Sequence, residues 1–155
     1  MKLTESELAF WNKYLDSQPA IEPHFDYTVE ANPAGVLSIT DKLIALYLNG
    51  TKTAGSGLVE DYEVAGDALP KVGNFWIVLD SNSEPRIILK TVRTEINKFP
   101  EVPEYIAIAE GEGDLSLEYW KTVHAKFYEP HLSSWNLLNI NDSHVITEFF
   151  ELVWK

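Results

Sequence analysis

The stretch Asn49-Gly50-Thr51-Lys52-Thr53-Ala54-Gly55-Ser56-Gly57 ends an apolar helical pattern and surrounds one lysine with three glycines and three hydroxyl side chains. Glycine adopts backbone conformations that other residues avoid and lets a ligand approach the main chain. Several glycines beside a cation therefore predict a binding loop with exposed N–H groups and a positive charge. The alternative is a helix that ends at Gly50 and continues into an ordinary surface loop.

The composition indicates one globular domain. The 155 residues, 45% apolar and 12% aromatic, suffice for a hydrophobic core. The chain contains no cysteine, which excludes a disulfide framework, a thiolate metal site and a cysteine nucleophile. The N-terminus is polar, and no apolar run approaches the ~18 residues of a membrane span. We therefore expect a cytoplasmic protein with no membrane segment.

The net charge of −12, from 24 acidic and 12 basic residues, opposes loose attraction to nucleic acid or to an anionic membrane. The charge is unevenly distributed. Residues 50–98 hold six basic against seven acidic side chains, whereas the rest of the chain carries −11. An anionic ligand is therefore expected to bind within this segment, and a small ligand is favoured over a long polyanion.

A capping box predicts a helix near the N-terminus. Thr4 and Glu7 have its spacing, and apolar residues then recur at helical intervals as far as residue 16. Prolines interrupt residues 18–37, which have no sustained periodicity and are predicted to form a loop. We interpret residues 1–38 as a helix and an irregular segment that pack on the main domain.

Two further helices are predicted from apolar periodicity. One begins at Ser38 or Thr40 and ends where the lysine stretch begins. Its buried face is expected to consist of Leu43, Ile44, Tyr47 and Leu48. The other begins at Asp114 or Ser116 and continues to the next proline. Its apolar face is expected to consist of Leu117, Trp120, His124 and Phe127.

Three segments rich in β-branched and aromatic residues predict strands at residues 74–80, 86–99 and 143–154. The turn composition of residues 80–85 joins the first two as a hairpin. Helices gathered around strands that follow one another through hairpins indicate an α+β fold with a small curved sheet or barrel.

Charged side chains in glycine-rich surroundings are the candidates for chemistry. Lys52 can bind a phosphate or carbonyl oxygen, or act as a base if burial lowers its pKa; the alternative is a solvated loop lysine. Because its loop lies outside the apolar segments, we expect removal of the Lys52 side chain to lower the free energy of unfolding by at most about 0.5 kcal/mol. The run Glu110-Gly111-Glu112-Gly113-Asp114 lacks the remaining ligands of an EF-hand. Glu110 or Glu112 is therefore interpreted as a general acid or base, or as a carboxylate that merely precedes a helix.

Aromatic and polar side chains complete the candidate site. His124 shares a helix face with Trp120 and can hydrogen-bond a ligand or titrate near neutral pH, unless it is simply a core residue. The spacing of the four histidines indicates no metal site, and the absence of a nucleophile-elbow pattern argues against a serine triad. We expect no cofactor. Six residues are predicted to contact a ligand: Thr51, Thr53, Ser56, Arg93, Trp120 and His124.

Several short motifs follow one another in order: the helix end that contains Lys52, Leu69-Pro70-Lys71-Val72-Gly73, Lys90-Thr91, Lys98-Phe99, the run from Ala109 to Ser116, Tyr119-Trp120 and Val123-His124. In this order they resemble the ASCH domain family, from about residue 39 to residue 155. That family is similar to PUA domains. The resemblance implies a small β-barrel flanked by helices, with an N-terminal helical extension and a cleft at the glycine–lysine loop.

The resemblance also implies a function. Members of the family are proposed to bind RNA or nucleotides, some resemble ribonucleases, and a short branch hydrolyses the amide of acetylated cytidine. That branch uses a lysine, a threonine three residues later and a glutamate. In this sequence the lysine matches Lys52 and the glutamate matches Glu110 or Glu112, but Gly55 occupies the threonine position. The nucleophile of the branch is therefore missing here, and a neighbouring hydroxyl would have to replace it.

Three functional hypotheses follow. The first is a module that binds RNA or a small nucleotide or nucleoside in a cleft around Lys52. The second is a small hydrolase, either a ribonuclease or an amidohydrolase of acylated nucleosides, which uses Lys52 with Glu110 or Glu112. The third is a protein-interaction domain. The sequence gives no indication of the oligomeric state.

Overall fold

The computed structural model describes residues 2–19 and 27–155, so Pro23 and His24 lie outside the described residues. The helices within this part of the chain are α1 (Glu5–Asp16), α2 (Thr40–Leu48), α3 (Val59–Ala65), α4 (Glu104–Glu110) and α5 (Leu117–Tyr128). The strands are β1 (Val29–Pro33), β2 (Ala54–Leu58), β3 (Phe75–Leu79), β4 (Pro85–Lys98) and β5 (His144–Trp154). Short 3-10 helices occupy Phe99–Glu101, Glu129–Trp135 and Ile140–Asp142. None of the helices in the described residues is long and apolar enough to cross a membrane.

The strands form one mixed sheet in the order β1-β3-β4-β5-β2. Strand β1 runs parallel to β3, whereas β3 and β4 form an antiparallel hairpin. Strand β2 is antiparallel to β5, and Ala54 is opposite Phe149. The predicted α+β fold class and the predicted hairpin are both confirmed.

The chain divides into two compact units, and the first comprises Met1–Gly50, Lys71–Val92 and Phe150–Lys155. Alternate side chains of a strand point to opposite faces, and both faces of β3 are buried in this unit. One face belongs to a core with α1: Trp11, Tyr14, Phe75, Ile77 and Ile88. The other belongs to a core with α2: Leu43, Ile44, Tyr47, Val78 and Ile87.

The second unit comprises Thr51–Pro70 and Arg93–Phe149. Its core is built from β2, β5, α4, α5 and the 3-10 helix after β4. The buried members include Leu58, Phe99, Ile106, Trp120, Tyr128 and Val145. All the residues predicted to act on a substrate or to contact a ligand lie in this unit.

The N-caps predicted for α1 and α5 are confirmed. The Thr4 hydroxyl accepts the Glu7 backbone N–H, and the Glu7 carboxylate accepts the Thr4 N–H at 2.8 Å. At α5 the Ser116 hydroxyl accepts the Tyr119 N–H at 3.0 Å. These bonds satisfy N–H groups that the first helical turn leaves without partners.

Two segments predicted as loops contain strands. Strand β1 lies within residues 18–37 and pairs in parallel with β3, 46 residues further along the chain. The lysine loop ends at Thr53, because Ala54–Leu58 pairs with β5. The sequence Ala-Gly-Ser-Gly-Leu carries almost no β propensity, so its pairing is decided by the partner strand.

The helix predictions also need correction. Neither predicted hydroxyl residue caps α2: Ile39 is the N-cap, and Thr40 donates its hydroxyl to the Ala34 carbonyl at 2.7 Å. Leu48, predicted on the buried face of α2, is 36% exposed, and Phe127, predicted on the apolar face of α5, is 53% exposed. Helices α3 and α4 were not predicted. Each has seven residues, which is too short for a clear helical periodicity.

Candidate functional site

The side chain of Lys52 is buried, with only 5% of its surface exposed. Its Nζ lies 3.2 Å from the Glu110 carbonyl oxygen, 3.4 Å from Glu110 Oε1 and 3.0 Å from Glu112 Oε2. An ammonium has three hydrogens to donate, and these three acceptors match them. The structure therefore brings Lys52 together with both candidate glutamates. The alternative of a solvated loop lysine is wrong, and the burial removes the premise from which a small effect on folding was expected.

The loop around Lys52 is held against the end of α4 by backbone contacts. The Thr53 N–H donates to the Ala109 carbonyl at 2.7 Å. Gly111 ends α4 with a φ of +67°, and a Cβ at this position would lie 2.2 Å from the Thr51 carbonyl oxygen. Only glycine fits so close to another backbone segment. Gly111 therefore allows two backbone segments to pack closely. The sequence had instead favoured the interpretation that the glycines expose the backbone to a ligand.

Glu110 is the most buried charge of the site, with 3% of its surface exposed. Its Oε2 accepts a hydrogen bond from Trp120 Nε1 and lies 3.6 Å from His124 Nε2. Burial raises the pKa of this carboxyl, but the hydrogen bond and charge of His124, the charge of Lys52 and the hydrogen bond from Trp120 outweigh it. The pKa of Glu110 falls from 4.5 to about 2. Glu110 is therefore ionised at neutral pH and is a weak base.

Trp120 and His124 of α5 orient one another. The rings of Trp120 and His124 are stacked with centroids 4.0 Å apart, as their spacing of four residues on a helix allows. His124 Nδ1 lies 2.8 Å from the Trp120 carbonyl oxygen. A carbonyl only accepts, so Nδ1 carries a proton and Nε2 is directed at Glu110. Trp120 is 3% exposed and also packs on Phe99, so its ring is core rather than an open surface for a ligand.

A small pocket opens beside these side chains, with about 230 Å³ of empty space including its mouth. It is lined by Ala107, Glu110, Glu112, Tyr119, Trp120, Val123 and His124. The accessible members are Tyr119 and Val123, each 40% exposed, and Glu112, 28% exposed. Lys52 does not line the pocket but lies behind the two carboxylates that do.

The other predicted contact residues do not line this pocket. The Thr53 hydroxyl donates to the Ala109 carbonyl at 3.3 Å, and the Ser56 hydroxyl lies 2.8 Å from Thr147 Oγ1. Arg93 is 56% exposed, pairs with Glu95 and lies over the Phe149 ring. Thr51 is exposed, and its carbonyl faces Gly111.

Sequence reasoning missed Tyr119, Val123 and Ala107 as pocket residues. Tyr119 and Val123 each come one position before Trp120 and His124. They are also four residues apart, so they lie side by side on the adjacent face of α5. Helical periodicity alone led to the prediction that Trp120 and His124, which are on the more buried face of α5, contact the ligand. A signal was nevertheless present in Gly113, whose φ is +60° and whose missing side chain leaves room for the Tyr119 ring. Within residues 2–19 and 27–155 no three acidic or histidine side chains form a cluster that could hold a metal ion.

Comparisons with known proteins agree with this architecture. The family model described as ASCH domain matches residues 33–154. A crystal structure of an ASCH domain from Lactobacillus crispatus JV V101 is similar with a TM-score of 0.87 and 24% identity, covering 99% of this chain and 97% of that one. The structure of protein EF3133 from Enterococcus faecalis V583 is similar with a TM-score of 0.81 and 29% identity, covering 95% and 87%. No curated protein matches the chain significantly. The predicted α+β, PUA-like fold is therefore confirmed.

Proposed function

The chain belongs to the ASCH domain family, and from its site we propose that it binds a small, uncharged, nucleoside-like ligand in the pocket beside Lys52 and Glu110. The observation that carries the proposal is the charge of the site. Lys52, Glu110 and Glu112 together bring one positive and two negative charges, and the ammonium donates to both carboxylates and to a backbone carbonyl. A phosphate in the pocket would lie beside the carboxylates of Glu110 and Glu112, and the one pocket side chain that can carry a positive charge, His124, faces Glu110.

The charge of the surrounding unit supports the same choice. Residues 51–70 and 93–149 hold 14 acidic against five basic side chains, a net charge of −9. Of the five, Lys52 is buried and Arg93 is already paired with Glu95. A long RNA, the partner that the family resemblance implies in general, would be repelled along most of its backbone. A single nucleoside avoids that repulsion.

The pocket offers contacts that suit such a ligand. Carboxylate oxygens of Glu112 accept hydrogen bonds from amino, imino or hydroxyl groups. The 230 Å³ of empty space includes open solvent at the mouth, so the pocket admits the edge of a small ligand rather than a whole drug-sized molecule.

The test compares ligands that differ only in charge. The four common ribonucleosides and their 5′-monophosphates are titrated at low and at high salt, with isothermal calorimetry as the readout. We expect at least one nucleoside to bind more tightly than its monophosphate at low salt. The difference should shrink at high salt, because salt screens the repulsion. Tighter binding of the monophosphate, or of a short RNA, would overturn the proposal.

A charge-neutralising variant sharpens this test. Glu112→Gln removes the accessible negative charge and keeps the shape of the side chain, so it should raise the affinity for the monophosphate relative to the nucleoside. The matched control is Glu118→Gln on α5, an exposed carboxylate that does not line the pocket. The control should leave the ratio of the two affinities unchanged.

Hydrolysis of an acylated nucleoside is the second candidate, because an ammonium and two carboxylates are in hydrogen-bonding contact beside the pocket. A covalent route has little support. Gly55 lies within β2, and the hydroxyls of Thr53 and Ser56 are bonded to Ala109 and Thr147. The alternative is attack by water on the acyl carbon. Glu112 would take the proton of that water and return it to the departing amine as the C–N bond breaks.

The hydrolase candidate is tested with an N-acetylated cytidine as substrate and release of acetate as the readout. Glu112→Gln should slow release by roughly 10²- to 10⁴-fold, the usual contribution of a general base. Glu118→Gln should not. If nucleosides bind while acetate is never released, the protein is a binding module and the hydrolase candidate fails.

A further inference from the structure

We infer that Tyr119 is the surface on which a planar ring of the ligand stacks, and that Gly113 holds it in place. This inference rests on the proposed function and defines the ligand class of the same pocket. The ligand would be a flat aromatic heterocycle that carries N–H or O–H groups for Glu112.

Tyr119 is the aromatic side chain that the pocket presents. It lines the pocket and is 40% exposed, whereas Trp120 on the same helix is 3% exposed and packed on His124 and Phe99. A flat ligand can reach the ring of Tyr119 without displacing any core residue. Trp120 offers no comparable face.

The position of the Tyr119 ring is set by the backbone of the glutamate run. A Cβ added to Gly113 would lie 2.4 Å from two ring carbons of Tyr119, closer than any real contact. The ring therefore packs directly on the glycine backbone. Gly113 has a φ of +60°, a conformation that residues with a side chain adopt at a cost. This contact restrains the ring before a ligand arrives, and such preorganisation lowers the entropy lost on binding.

The start of α5 adds a second restraint. The Tyr119 N–H donates to the Ser116 hydroxyl at 3.0 Å, and the Ser116 N–H donates to Asp114 Oδ1 at 2.9 Å. Val123 lies one turn further along the helix and lines the pocket beside Tyr119. The pocket thus has one apolar wall from α5 and an acidic wall from Glu110 and Glu112. This combination fits the flat face and the polar edge of a base.

The experiment measures binding of the four ribonucleosides and of methyl riboside, which has the sugar but no ring. Tyr119→Ala should weaken binding of the best nucleoside by roughly 5- to 150-fold, the range found when a base loses one aromatic partner. Tyr119→Phe keeps the stacking face and should stay within about twofold of the wild type. Phe127→Ala is the matched control, because Phe127 is an exposed aromatic of α5 outside the pocket. Thermal melting of each variant confirms that it is folded.

The outcomes separate the inference from the proposed function. A wild type that binds no nucleoside ends both. If the wild type and Tyr119→Ala bind a nucleoside equally tightly, the proposed function stands and the stacking role of Tyr119 is overturned. Equal losses in Tyr119→Ala and Phe127→Ala, or binding of methyl riboside as tight as that of the nucleoside, also overturn it. Gly113→Ala should lower affinity in the same direction as Tyr119→Ala, because the added Cβ displaces the ring.

Discussion

The Nζ of Lys52 lies 3.4 Å from Oε1 of Glu110, and the two side chains are 5% and 3% exposed. They are 58 residues apart in the chain, yet each offsets part of the cost of burying the other's charge. This pair makes the candidate site part of the structural framework of its unit. Substitutions here are therefore expected to change folding and binding together, and stability has to be measured beside activity.

We expect Lys52→Ala to lower the free energy of unfolding by about 3 to 5 kcal/mol, because it takes the ammonium away from two carboxylates, one of which is buried. Urea unfolding measures the change. Lys126→Ala, which removes an exposed lysine from α5, is the control and should change it by no more than about 0.5 kcal/mol. Equal effects of the two variants would show that the Lys52 ion pair contributes nothing to folding.

A double-mutant cycle should reveal coupling between the two charges. Lys52→Met and Glu110→Gln each remove one charge of the pair, whereas the double variant removes both charges and keeps an acceptor for Trp120 Nε1. The double variant should be about 0.5 to 3 kcal/mol more stable than the sum of the single effects predicts. Additive losses would mean that the two side chains act independently.

Stability should fall in acid through Glu110. Its pKa is about 2 in the folded protein and near 4.5 without the surrounding structure. The unfolded chain therefore takes up the proton first, and the stabilisation is complete above about pH 5 and is lost as the pH falls towards 2. It amounts to about 3 kcal/mol at neutral pH. Urea unfolding between pH 3 and pH 7 should show a shallower decline for Glu110→Gln than for the wild type, and parallel curves would contradict the assignment.

Two glycines with similar backbone angles allow a test of the close approach at Lys52. Gly111 and Gly66 both end helices with positive φ, at +67° and +74°. A Cβ at Gly66 would have no atom within 4 Å, whereas one at Gly111 would lie 2.2 Å from the Thr51 carbonyl oxygen. Gly66→Ala should cost about 1 to 2 kcal/mol for the left-handed conformation alone. Gly111→Ala should cost about 1 to 3 kcal/mol more for the clash. An equal loss of unfolding free energy in the two variants would show that the loop around Thr51 moves away from the added Cβ without cost.

The sequence by itself determined those features that depend on neighbours in the chain. The Thr4–Glu7 capping box, the Ser116 cap of α5 and the hairpin of β3 and β4 follow from residues a few positions apart, and each is found as predicted. Glycine density and the motif positions of the family that the sequence resembles likewise marked the Lys52 loop and the glutamate run as parts of one site.

Tertiary structure alone decided what those segments do. Burial of Lys52, the parallel pairing of β1 with β3 and the strand formed by Ala54–Leu58 all depend on partners between 46 and 95 residues away. The choice of Tyr119 over Trp120 as the accessible ring has the same origin, because neighbouring residues on a helix differ in exposure only through what packs against them. Charge pairing, burial and strand partners are set by contacts between distant segments, and local patterns carry no record of them.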